Sequence, residues 1–126
     1  MAQEWRAVVA GWAAWLLVAA FAGLLAKGFW PGYAAAAEGH RFTFAMLVIR
    51  LVAGAFATLA AGAVAGWLAR GQWRAILLTG GGVLLVSLVR HYQIWDQYPV
   101  WYHFVYLGYL LPLTALGGRC CPPRCD

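Results

Sequence analysis

Phe42-Thr43-Phe44-Ala45-Met46-Leu47-Val48-Ile49-Arg50-Leu51-Val52-Ala53-Gly54-Ala55-Phe56-Ala57-Thr58-Leu59-Ala60-Ala61-Gly62-Ala63-Val64-Ala65-Gly66-Trp67-Leu68-Ala69 is an apolar run broken by a single charge. As a helix it reaches roughly 42 Å, against a hydrocarbon core of about 30 Å. It therefore tilts, or its first two turns stand in the interface. Residues four apart share a helix face. Arg50, Gly54, Thr58, Gly62 and Gly66 fall on one such face, and Gly62 to Gly66 form a GxxxG. In lipid no hydrophobic force drives helices together, and small residues mark where their backbones approach. This face is the expected packing surface of a central membrane helix, with Arg50 at its top and turned toward the other helices.

Three further apolar runs flank it. Residues 7–26 lie between Trp5-Arg6 and Lys27, Phe29 and Trp30, flanks suited to the headgroup level. Within them Ala20-Phe21-Ala22 has the small-x-small form of a signal-peptide cleavage site, but the segment is long for a signal core. Pro31 and Gly32 break the helix, and residues 34–37 are expected as a short surface turn. The turn 70–74 is so tight that the helices it joins are antiparallel neighbours. The third helix is expected over 75–91, its Gly80-Gly81-Gly82 allowing contact with the second. Pro99 suits the first turn of a fourth helix over 100–116. Pro112 weakens its end, and Gly117-Gly118 stop it.

The composition agrees. Of 126 residues, 64% are hydrophobic and 10% charged, whereas a soluble domain carries about 25% charged residues. The expected fold is all-α: one domain over 1–126, an integral membrane four-helix bundle running up-down-up-down, with a cysteine-containing tail at 119–126. The net charge of +5 comes from residues near the ends of apolar runs. That is membrane usage and not the basic face of a nucleic-acid binder.

Arg6, Arg70, Arg74, Arg119 and Arg124 lie on the side of the termini, and Lys27, Arg41 and Arg90 on the other, with Arg50 near them. The positive-inside rule puts both termini in the cytoplasm of a bacterial inner membrane. Glu38, His40, Arg50, Arg90, His91, Asp96 and His103 then gather at the outer face as a candidate polar cluster.

Each member has two readings. Arg50 is an anion or headgroup site, or a partner for Asp96; otherwise it snorkels to water. His91 and His103 sit at similar depth on adjacent helices and could ligate haem or a metal. Zinc would want a third ligand, for which Glu38, His40 and Asp96 are available. Otherwise the two are hydrogen-bonded interfacial histidines. Asp96 with His103 and an Arg could relay protons, or only pin the loop. Trp95, Trp101, Tyr102, Tyr106 and Tyr109 form an aromatic lining or an interfacial belt, the two deeper tyrosines needing hydroxyl partners. Cys120, Cys121 and Cys125, an odd number on a Pro-rich tail, read as free thiols.

The run from Trp95 to His103, followed by Leu111-Pro112-Leu113 and Gly117-Gly118-Arg119, resembles the C-terminal part of small uncharacterised bacterial integral membrane proteins. The resemblance covers about the last quarter of the chain and implies no activity. Small multidrug exporters carry a glutamate inside the first membrane helix, and residues 7–26 hold none. No hydrolase triad, P-loop or zinc motif occurs, so the sequence does not point to a soluble-type enzyme. The expected function is a helper or subunit that binds a membrane partner or lipid through the outer cluster, without a cofactor. The alternatives are a transporter or channel protomer working as a homo-oligomer, and a haem- or metal-binding electron carrier through His91 and His103.

Overall fold

The computed structural model describes residues 2–39 and 41–120. It contains helices α1 (Ala2–Phe29), α2 (Tyr33–Gly39), α3 (Phe44–Leu68), α4 (Trp73–Gln93) and α5 (Val100–Arg119), with a 3-10 turn at Trp95–Gln97 between the last two. Among the described residues there is no strand. Helices α1, α3 and α4 are each long and apolar enough to cross a membrane. Their outward residues are apolar too: Leu17, Phe21, Phe56 and Leu85 are all more than 60% exposed. A surface of this kind suits lipid and not water.

Local chemistry sets the helix ends. Thr43 is extended, and its Oγ1 accepts from the Met46 N–H at 3.3 Å, capping α3. At the other end the Gly71 N–H donates to the Gly66 carbonyl at 2.7 Å, and the Arg70 N–H to that of Trp67 at 3.3 Å. This is a Schellman closure. Its left-handed position is taken by Arg70 at φ 53°, beside Gly71 at φ 76°. A side chain there costs roughly 1–2 kcal/mol.

Three expectations need correction. Residues 34–37, read as a surface turn, belong to the seven-residue α2, because four consecutive alanines have the highest helix propensity. Gly117-Gly118, read as a stop, lie inside α5, which continues to Arg119. A Cβ on Gly117 would overlap the Leu59 carbonyl, and one on Gly118 would stand 2.5 Å from Ile76 Cδ1. These glycines are there for close approach. Finally, Gly80 and Gly82 do not chiefly serve the α3 contact. Gly80 faces Leu111 and Thr114 of α5, and Gly82 faces the Trp12 indole of α1.

Paired contacts give the helix directions. Gln3 at the start of α1 donates to the Leu68 carbonyl at the end of α3 (3.1 Å), so α1 and α3 are antiparallel. Trp12 Nε1 donates to the Thr79 carbonyl at 3.2 Å, joining α1 to α4. Arg50 meets Tyr102, and Gly66 meets Gly118. Helices α3 and α5 therefore run the same way and share an extended seam. In one half of this seam there is no room for a methyl group. A Cβ on Gly62 would overlap the Thr114 backbone, and one on Gly66 would lie 2.8 Å from the Gly118 carbonyl. Thr58 and Thr114 are buried there with their hydroxyls bonded back to Gly54 and Leu110 at 2.7 Å. No polar group of theirs is left over.

Candidate functional site

The other half of the molecule, around the N-terminal turns of α3 and α5, is built on aromatic rings and cations. Arg50 is half-buried there. Its Nε donates to the Tyr102 hydroxyl at 3.3 Å, and Tyr33 stands at the same guanidinium. The guanidinium carbon lies 4.6 Å from the Phe42 ring centre and 5.9 Å from that of Tyr98, both cation–π distances. Phe42, Tyr98 and Tyr102 stack in sequence at 5.7 and 5.3 Å. Burial raises the Tyr98 hydroxyl above the ordinary tyrosine pKa, with Arg50 pulling the other way. Asp96 is not the partner of Arg50. It is exposed on the 3-10 turn beside Tyr92, Gln93 and Trp95. Among the described residues no carboxylate pairs with Arg50.

His91 and His103 are both buried and meet directly, Nδ1 to Nδ1 at 2.6 Å. The His103 Nε2 faces the Trp95 carbonyl at 3.1 Å. A carbonyl only accepts, so this nitrogen carries a proton. Neutral His103 then presents a lone pair at Nδ1, and His91 is the donor. The Trp95 indole stacks on His103 at 4.4 Å, and His91 packs against the rings of both Tyr102 and Tyr106, at 5.7 and 4.7 Å. The proton relay expected through Asp96 and His103 is replaced by a histidine pair anchored on backbone.

The pair fits a metal poorly as it stands. Two nitrogens on one tetrahedral zinc stand roughly 3.3 Å apart at bonds of about 2.0–2.1 Å, and trans axial nitrogens on haem iron roughly 4 Å apart. A gap of 2.6 Å suits one shared proton. Among the described residues no group of three His, Cys, Asp or Glu side chains could hold a metal ion.

Two cavities flank Arg50. The smaller, about 130 Å³, lies toward Ala22, Gly23 and Tyr33. The larger, about 280 Å³, lies between α1, α4 and α5 and is lined by Trp15, Arg50, Ser87, Arg90, His91, Tyr98, Tyr102 and Tyr106 among others. Trp15 Nε1 and Ser87 Oγ are buried on its wall without a hydrogen bond. Tyr106 stands close to Ser87, but the two do not complete a hydrogen bond. Each unsatisfied buried donor costs about 1–3 kcal/mol. Neither residue is conspicuous in the sequence, and only the folded arrangement points them at one space.

The remaining expected members are scattered. Arg90 and Glu38 are exposed, and His40, Cys121 and Cys125 lie outside the described residues. Cys120 is exposed and unpaired. Trp101 packs on Phe44 at the surface, at 5.5 Å. Tyr109 donates its hydroxyl to the Leu51 carbonyl at 2.8 Å and closes over Gly54. No family model matches the chain, and no curated protein or solved structure matches it either.

Proposed function

We propose that this chain is a four-helix bundle crossing a bacterial inner membrane up-down-up-down. On this reading α5 is the fourth span, and both termini are cytoplasmic. Its role is that of a helper that binds the acidic group of a membrane component, lipid or protein, at Arg50. The observation that carries the reading is a half-buried guanidinium without a carboxylate, beside a cavity that offers unused donors. A charge in the lipid-level interior is costly, and its usual use is a ligand or pathway. Binding is favoured over conduction because both cavities that border Arg50 lie at one end of the α3–α5 seam. Toward the other end the α3–α5 seam admits no methyl group.

The test is thermal stability of the purified protein in a neutral detergent. Phosphatidylglycerol should raise the melting temperature and phosphatidylcholine should not. The difference should vanish in Arg50→Met, which keeps the bulk and removes the charge. Equal response to both lipids, or an unchanged response in Arg50→Met, would refute the proposal.

A further inference from the structure

The cavity beside Arg50 has an apolar neighbour. Trp15, Leu16 and Val86 line it and also line a second hollow of about 310 Å³ between α1 and α4. The rest of that hollow is Trp12, Gly82, Val83 and Leu85, with no charged or hydroxyl side chain. A compartment lined by Arg50, Arg90, Ser87 and Trp15 therefore adjoins a wholly apolar groove. Along α4 the step from Arg90 to Gly82 is about 12 Å, parallel to the helix axis. A ligand that fills both must be charged at one end and greasy along the other.

The charged end can be defined further. Two guanidiniums, the Ser87 hydroxyl, three tyrosines, His91 and one indole N–H border the polar compartment. Arginine forks match oxyanions, and the Ser87 and Trp15 donors are unpaired and buried, Ser87 being only 3% exposed. A donor set this large suits a tetrahedral head with several acceptor oxygens better than a carboxylate with two. Resting on the anion-binding reading above, we propose that the two hollows form one site for a phosphate-headed amphiphile. The phosphate lies among Arg50, Arg90, Ser87 and Trp15, and the alkyl chain along the α1–α4 groove past Leu85.

The groove can be tested without touching the head compartment. Leu85 borders only the apolar hollow and is 64% exposed, so Leu85→Trp fills space without disturbing the packed interior. Binding of inorganic phosphate, dodecanoate and dodecyl phosphate is measured by thermal shift in neutral detergent, for the native chain, Leu85→Trp, Leu85→Phe and Arg50→Met. The native chain should prefer dodecyl phosphate to both other probes. Leu85→Trp should weaken dodecyl phosphate by about fivefold, since in a micelle only packing is lost, and should leave inorganic phosphate unchanged; Leu85→Phe should fall between. Dodecyl phosphate binding that requires Arg50 but ignores Leu85→Trp would overturn the groove while leaving the anion-binding reading intact. Dodecanoate binding as tightly as dodecyl phosphate would overturn the phosphate assignment. Dodecyl phosphate binding unaffected by Arg50→Met, or no binding of any probe, would overturn the inference and the reading beneath it, leaving a cavity that holds only water.

Discussion

The two ends of the α3–α5 seam are packed by opposite means. At Gly62, Gly66, Thr114 and Gly118 the backbones touch, every hydroxyl is satisfied within its own helix, and no space remains. At Arg50, Tyr102, Tyr106 and His91 the same two helices, with α4, are held apart by rings, and two cavities open beside a charge. The first arrangement gains dispersion and leaves no polar group unpaired. The second accepts unmet donors and a half-buried cation, a combination that lowers stability. The close end supports the fold, and the open end is where we propose that a ligand binds.

The largest expected effect comes from breaking the close end. Gly62→Val must push α5 away from α3 along several turns. A loss of about 3 kcal/mol is expected, read as a fall in melting temperature or as failure to accumulate in the membrane. A stable Gly62→Val protein would mean that the seam is not the main support of the fold.

At the open end, His103→Phe keeps a ring against Trp95 but leaves the His91 Nδ1–H without its acceptor. The cost should be about 1–3 kcal/mol, measured by the same melting curve. His91→Phe in the same background should add little, because the two residues act as one unit. Additive losses would show that the 2.6 Å contact is not a hydrogen bond.

Gly81 offers a control. It lies in α4 with nothing within 4 Å of a Cβ. Gly81→Ala should raise stability by about 0.5–1 kcal/mol through helix propensity alone. If it destabilises, α4 meets a neighbour on that face, such as a second copy of the chain.

The smallest effect concerns pH. The folded Tyr98 hydroxyl titrates above its unfolded value of about 10. Its contribution is fully present below that pH and is lost as pH rises through the folded value, because the unfolded chain sheds the proton first. Melting temperature should therefore fall more steeply above pH 10 in the native protein than in Tyr98→Phe. Parallel curves would remove Tyr98 from the buried stack.

The close end was readable in the sequence as a face, and the open end only as a gathering of residues without its pairings, for a physical reason. Glycines at a spacing of four declare a helix face by themselves, because one helix carries all of them. Their partners on α5 were misread, since Gly117-Gly118 looks like a helix stop wherever water is the assumed surroundings. The open end depends on residues far apart in the chain. Arg50 looked first toward Asp96, because opposite charges are the default pairing, with Tyr102, His103 and Tyr106 as the other candidates; the 3-10 turn leaves Asp96 exposed and Tyr102 takes the guanidinium. The His91–His103 contact requires the turn at Trp95–Gln97 to carry α5 back against α4. Trp15 and Ser87 gave no signal because an ordinary tryptophan and serine become informative only when nothing answers them.

The shared direction of α3 and α5 has a consequence for how the chain is made. Parallel helices are never neighbours in a hairpin, so α3 must wait for α4 and then α5 before its face is covered. Tyr33 and Phe42 precede Arg50 in the chain, but its hydrogen-bond partner Tyr102 lies 52 residues downstream. At about 5–20 residues per second, synthesis leaves that guanidinium without its Tyr102 partner for roughly 3–10 s. During this interval α3 presents a cation and a bare glycine track to the insertion machinery, with only the antiparallel α1 beside it. Slowing translation after Leu68 should expose this half-assembled state to membrane proteases, and supplying α5 as a separate fragment should protect it.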